Sequence, residues 1–555
     1  MTQGFTLDRR RLMATALGAT GALALPRLVR AQGGLAGFPV IREPFVVVET
    51  ASGRIRGGHE DGALAFKGVP YAGSPAGMHR FKAAPPLESW TGVRDCLQLG
   101  PPTIQPPNGT YGGPQEPAPS EDCLVLNVWT PAVGDGRKRP VMLWNHGGGY
   151  VSGSGGSPDA DGAHLARDYD VVVVATNHRL GILGFLYLGE IGGEEYATSG
   201  NQGMLDIVAA LNWVKTNIEA FGGDPNNVLI WGESGGGAKT CTLCAMPSAK
   251  DLFHKVGVIS GPELKVNPRE GATALAEAIL AKLEIGPHEL HKLAEVPIPL
   301  LLDAQQHVHL HPRGPGFGVG APRIDLSPVL DGTYVSQNPF DPAPAPWMAD
   351  KPLIIGMNRE EARFFAMAAG DTGVFSFDEA AMEARVRHDY GDAFADQVLP
   401  AFRKDRPDAT PTDIFVAAAD AAWWIQSITL AERKAAQNGA PAFMYRYDYE
   451  SNHKIPGTDQ VLRAGHATEI AAEFEQPDAP GLMGDRPDRY QIAKIVSAFW
   501  TSFARTGQPA CVGQPAWPAY VPPQRATMSL NLSCQVIDDP YAAERRALLA
   551  VGGEV

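Results

Sequence analysis

The chain has 555 residues, 44% of them hydrophobic, with 61 acidic against 47 basic side chains and a net charge of −14. So acidic a surface repels nucleic acid and anionic membranes, which excludes functions that rest on a basic binding face. Length alone suggests roughly three or four domains, but the motifs below run through one chain and argue for a single large α/β domain with long insertions.

The first 31 residues read as an address rather than as part of the fold. Arg9-Arg10-Arg11-Leu12-Met13 forms a twin-arginine leader, Ala14 to Leu25 is a short, weakly apolar stretch, and Val29-Arg30-Ala31 offers small residues for cleavage before Gln32. The apolar stretch is shorter than the ~18 residues of a membrane span, so no membrane insertion is expected of the mature form. The expectation is export through the twin-arginine translocase to a periplasmic or secreted location. Removing residues 1–31 takes away five Arg and one Asp, leaving a charge of −18.

Residues 44–72 alternate and turn at glycines, as antiparallel hairpins at a sheet edge do. Pro140 to Trp144, Val171 to Ala175 and Leu353 to Ile355 are unbroken apolar runs, the pattern of strands buried on both faces of a largely parallel sheet. Leu205 to Ile218 places apolar residues at 207, 208, 211, 214 and 218, one face of a helix. Strand, helix, strand is the grammar of a doubly wound sheet. Residues 310–347 are rich in Pro and Gly and predict long loops over the site. Tyr490 to Phe503 predicts a late amphipathic helix.

Two glycine clusters carry the chemistry. The apolar run from Asn227 to Trp231 breaks into Gly232-Glu233-Ser234-Gly235-Gly236, a strand feeding a G-x-S-x-G elbow. Such a turn lifts the Ser234 hydroxyl clear of the backbone, where a base and a carbonyl carbon can both reach it. Upstream, His146-Gly147-Gly148-Gly149-Tyr150 follows the strand at 140–144. Consecutive glycines leave backbone N–H groups free to converge on the oxyanion of an acyl-transfer transition state. A rival reading is nucleotide binding, because Gly232 to Thr240 nearly spells a Walker loop. Ala238 separates Gly237 from Lys239 there, whereas that loop needs Gly followed at once by Lys.

With these clusters in place the chain resembles the type-B carboxylesterases, α/β-hydrolases that include para-nitrobenzyl esterases and cholinesterases. The matching segments follow one order: Val48 to Arg54, Phe66 to Tyr71, Ser120 to Val128, the HGGGY, Asn177 to Gly181, Gly184 to Leu186, Gly200 to Asp206, Ala220 to Pro225, the elbow, Ser327 to Gly332, and Phe503 to Gly507. The resemblance implies an α/β-hydrolase fold with a large, mostly parallel central sheet flanked by helices and long loop insertions over the site. It implies one domain over residues 42–545 and a small-molecule ester as substrate, with neither cofactor nor metal.

It also implies a catalytic set of Ser234, His466 in Ala464-Gly-His-Ala-Thr-Glu469, and a glutamate in Asn358-Arg-Glu-Glu-Ala362. Relatives use the second acid of that segment, which maps to Glu361, although Glu360 competes beside it. The N–H groups of Gly148, Gly149 and Gly235 are the expected oxyanion donors, and Glu233, Ser260 and Glu469 the supporting residues. Relatives carry alanine at 235; glycine keeps the N–H and is expected to loosen the loop. Many relatives pair the cysteine matching Cys123 with one at the position of Thr103; Cys96, seven residues before that position, could substitute as the partner, and Cys511 could pair with Cys534. Cys241 and Cys244 are read as core residues.

Two features stand outside that pattern. Some family members have lost the serine and serve adhesion, but Ser234, Glu361 and His466 all stand here. His307-Val-His309-Leu-His311 sets three imidazoles on one face if the segment is a strand, a spacing compatible with a metal and also with exposed polar residues.

Overall fold

A computed structural model describes residues 44–106, 115–308 and 325–551. The expected leader at 1–31 and residues 42 and 43 lie outside the described residues, as do His309 and His311.

Thirteen strands form the main sheet. They are β1 (Phe45–Thr50), β2 (Gly53–Glu60), β3 (Ala63–Pro70), β4 (Val93–Asp95), β5 (Val125–Thr130), β6 (Arg139–Asn145) and β7 (Val172–Thr176). There follow β8 (Gly223–Glu233), β9 (Lys255–Ile259), β10 (Leu353–Asn358), β11 (Ala442–Tyr447), β12 (Ala526–Leu530) and β13 (Gln535–Asp538). The spatial order is β1-β2-β3-β5-β7-β6-β8-β9-β10-β11-β12-β13, with β4 beside β2. Every pair from β7 to β12 is parallel. The flanks, β1-β2-β3-β5-β7 on one side and β12-β13 on the other, are antiparallel.

The parallel run is covered on both faces, which is why its strands lack alternation. Along β6, Val141 and Leu143 join one apolar cluster while Met142 and Trp144 join the other. β7 repeats this with Val172 and Val174 against Val173 and Ala175. Helix α1 (Gln202–Asn217) closes the first face with Met204, Ile207, Leu211 and Val214. Helix α2 (Gly235–Cys244) packs on the same side directly after the elbow. Two further helices are α3 (Ala362–Ala368) and α4 (Pro411–Ala435), and α5 (Arg489–Thr506) covers the second face with Ile492, Val496, Phe499 and Trp500. At the centre of that face the Trp231 ring lies 4.9 Å from Phe474 and 5.5 Å from Trp500. Truncating such a side chain to alanine costs about 3–5 kcal/mol.

The sequence pattern did not foresee α4. It is long and apolar enough to pass for a membrane span, yet most of its apolar stretch is buried in the protein. A capping box fixes its start: the Thr410 hydroxyl accepts from the Asp413 N–H, and the Asp413 carboxylate accepts from the Thr410 N–H.

Neither expected cysteine pair is bonded; all six cysteines are free. Cys123 is instead faced by Thr103, the residue at the position where relatives carry the second cysteine. Cys96 sits elsewhere, in the main chain following β4, with its backbone bonded to Arg56 and Lys67. Cys241 and Cys244 are fully buried in α2, as core residues should be.

Candidate active site

The elbow is built where β8 ends at Glu233 and α2 begins at Gly235. Ser234 between them has φ 56° and ψ −123°, a conformation L-residues adopt only when their surroundings over-determine it, at a cost of about 1–3 kcal/mol. Two hydrogen bonds hold it. Its N–H donates to the Ile259 carbonyl at 2.8 Å, and its carbonyl accepts from Ala238 at 3.1 Å.

The chain after β6 runs past this elbow. Gly148 and Gly149 have φ of 85° and 61°, and the Gly148 carbonyl accepts from Ser152 N–H at 3.1 Å. Left-handed backbone at two successive positions is why glycine is needed here. Gly235 packs directly on Gly149. The expectation that glycine at 235 loosens the loop is therefore corrected: the missing side chain draws the two backbones together.

Opposite the elbow, His466 is almost fully buried, and its Nδ1 lies 2.5 Å from Glu361 Oε2. The other Glu361 oxygen accepts the Asn358 N–H at 2.6 Å, so the carboxylate is held at both ends. Glu360 points elsewhere. It meets Arg463 at 3.0 Å and lies near Arg359 and Arg363 at 3.5 and 3.7 Å.

The far edge of the imidazole faces the residue next to the serine. His466 Nε2 is 3.1 Å from Glu233 Oε1, and Glu233 is fully buried. Burial, and then the charge of Glu361, drive the Glu233 carboxyl well above its ordinary range. A neutral acid in this place leaves the imidazole without a second competing negative charge. Glu469 is raised likewise by burial, then by Glu233 and Glu361. It accepts from Ser260 Oγ at 3.4 Å and from the Asn358 side chain.

Several residues of the site carried no local signal in sequence. Asn358 bonds both Glu361 and Glu469. Asp420, from α4, accepts the Ala362 N–H at 2.9 Å and so caps α3 directly behind Glu361. Burial and the Glu361 charge raise its carboxyl well above the usual range. Phe365 and Trp423 flank the imidazole, with ring centroids 4.7 and 5.3 Å away. Only the fold brings residues 420 and 423 to this place.

The histidine run is not a strand at its start. His307 closes the helix Ile298–His307 with Nδ1 2.9 Å from the Asp303 carbonyl. Among the described residues no group of three His, Cys, Asp or Glu side chains could hold a metal ion.

The profile of the carboxylesterase family matches residues 44–548. The chain belongs to the carboxylesterase family. It is 33% identical to the para-nitrobenzyl esterase of Bacillus subtilis (strain 168), over 92% of this chain and 99% of that one. It is 33% identical to the liver carboxylesterase of Sus scrofa, over 85% of this chain and 87% of the relative. Among solved structures, the Geobacillus stearothermophilus carboxylesterase EST55 superposes with a TM-score of 0.76 at 36% identity, covering 90% of this chain and 99% of that one. These likenesses establish an α/β-hydrolase fold and a carboxylic ester hydrolase.

Proposed function

We propose that this carboxylesterase works through a Ser234–His466–Glu361 relay and an acyl-enzyme intermediate. The observation that carries the reading is the 2.5 Å contact between Glu361 Oε2 and His466 Nδ1, with the opposite imidazole edge turned to the residue beside Ser234. Nε2 takes the Ser234 proton as the hydroxyl oxygen attacks the ester carbonyl. Glu361 keeps the proton on Nδ1 and stabilises the imidazolium that forms. The N–H groups of Gly148, Gly149 and Gly235 receive the oxyanion. His466 then protonates the departing alcohol, and water activated by the same nitrogen releases the acid and restores Ser234.

Ser234→Ala tests this. Loss of esterase activity by several orders of magnitude with folding intact, together with loss of fluorophosphonate labelling, is the expected result; more than about 1% residual activity contradicts it.

The Phe365 and Trp423 rings against His466 support an aromatic alcohol side, since the imidazole hands its proton to the leaving alcohol. One relative is named a para-nitrobenzyl esterase. Another, from Clostridium hathewayi, is described as hydrolysing aliphatic aromatic polyesters; it is 28% identical, with a TM-score of 0.74 over 91% of this chain and 99% of that one. Benzyl esters should turn over faster than alkyl esters of the same acid, and Trp423→Ala should erase the difference.

The leader supports export by the twin-arginine route. Replacing Arg9 and Arg10 by lysine should hold the precursor in the cytoplasm, because the receptor reads guanidinium pairs rather than charge. Normal processing of that variant would assign the chain to general secretion.

A further inference from the structure

The near-Walker lysine has a different use. Lys239 lies in α2, on the helix that starts at the elbow, and is fully buried. Its Nζ donates to the His146 carbonyl at 2.9 Å and stands 6.0 Å from the centre of the Tyr150 ring. His146 leads into the three glycines and Tyr150 follows them. The amine is thus fastened at the entrance of the loop that packs on the elbow through Gly149 and Gly235. The exit is fastened as well: the Tyr150 hydroxyl donates to Glu263 at 2.6 Å, and its carbonyl accepts from Gly181 at 2.7 Å.

This lysine is an odd choice for a core. Among the described residues none makes an ion pair with it, and the acid that acts on its charge, Glu233, is itself held toward its neutral form by burial. Burying an amine on those terms disfavours folding, and an apolar chain of the same length would fill the space without that penalty. Burial draws its pKa down to about 7. The stacked His146 and His178 rings beside it are driven well below their ordinary range, first by their own burial and then by Lys239. What the amine uniquely supplies is a donor to one carbonyl.

We propose that Lys239 is a positioning residue for the oxyanion donors, holding the His146 peptide so that the N–H groups of Gly148 and Gly149 stay aimed at the developing negative charge. The inference rests on the serine mechanism proposed above. Oxyanion stabilisation depends on donors fixed in advance, and losing one whole donor costs about 10²–10³ in turnover. A loop freed at its entrance loses aim rather than donors, so the effect should be smaller.

The test compares Lys239→Met, which keeps length and removes every N–H, with Lys239→Gln, which keeps a neutral donor. Both are assayed on a para-nitrophenyl ester for kcat and KM, with an aryl trifluoromethyl ketone as a mimic of the oxyanion and with thermal unfolding. Lys239→Met should lower kcat by about 10–100-fold with KM changed less than about threefold, weaken the ketone in parallel, and leave Tm unchanged or higher. Lys239→Gln should recover part of the loss. Unchanged kcat and ketone affinity in the Met variant, or a Tm drop with no change in kcat, would overturn the proposal. If the Met variant does not fold, Lys239→Leu, which also lacks every side-chain N–H, decides: a parallel loss of kcat and ketone affinity supports the role, and wild-type values refute it. Ser234→Ala runs alongside. Residual activity there sinks the serine mechanism, whereas its loss beside a fully active Lys239 variant sinks only the lysine's role.

Discussion

A Cβ built on Gly235 would stand 2.4 Å from the amide nitrogen of Gly149 and 2.2 Å from its carbonyl oxygen. No real side chain tolerates that distance, and the obstacle is backbone, which cannot swing aside. The nucleophile helix and the oxyanion loop are therefore in contact through two glycines, and the identity of one constrains the position of the other.

Gly235→Ala should consequently push the loop outward. The alanine found in relatives is expected here to lower kcat by about 10–100-fold through misaimed donors and to cost about 1–3 kcal/mol of stability through overpacking. Steady-state kinetics and thermal unfolding of the single variant decide this. Wild-type turnover would mean the loop re-seats without loss.

The adjacent glutamates should separate cleanly. Glu361→Gln removes the charge that steadies the imidazolium and places an amide N–H₂ against Nδ1, so turnover should fall by about 10³–10⁴. Glu360 sits among Arg359, Arg363 and Arg463 rather than in solvent. Glu360→Gln should thus keep kcat within about tenfold while losing about 1–3 kcal/mol of stability, because neighbouring guanidinium groups lose their counter-charge. Reversed kinetics would assign the catalytic carboxylate to Glu360.

Thr103 faces Cys123, and its side chain is buried. Thr103→Cys should close a bond to Cys123 under oxidising conditions, removing two titratable thiols and adding about 3 kcal/mol of stability for a loop of roughly 20 residues. Thiol titration and unfolding with and without reductant check it; a gain that survives reductant would have another cause.

The Lys239 amine also predicts how stability varies with pH. Its folded pKa of about 7 lies below the ordinary lysine value of 10.5, so between those values the unfolded chain binds more protons than the native one. Stability attributable to this group therefore rises with pH across that window, and the full penalty applies below it. His146 and His178 are already neutral there, and Glu233 is the nearby acid. Any stability advantage of Lys239→Met over the wild type should shrink as pH rises from about 7 to 9. A difference independent of pH would show that the native amine keeps its proton across that window.

Much of this was legible before the fold was known, where the signal was local. The Val171 to Ala175 run gave β7 because a strand buried on both faces has no polar side to show. The elbow and HGGG segments announced themselves because close backbone approach needs glycine at particular spacings. What escaped notice was whatever depends on distant packing. Asp420 and Trp423 look like interior residues of an apolar helix, and nothing nearby in sequence says that one caps α3 behind Glu361 or that the other flanks His466. Lys239 was visible only as a flaw in a phosphate loop, since its partner is a main-chain carbonyl and carbonyls leave no mark on composition. The spacing of His307, His309 and His311 left strand and exposed polar segment open, and His307 itself ends a helix.

The six unpaired thiols have a consequence for how this protein matures. All six thiols are free in the folded chain, so its final form requires neither an oxidant nor a disulfide isomerase to make a bridge. Protein made in a reducing cytosol should be as active as protein made under oxidising conditions, and millimolar dithiothreitol should leave both untouched.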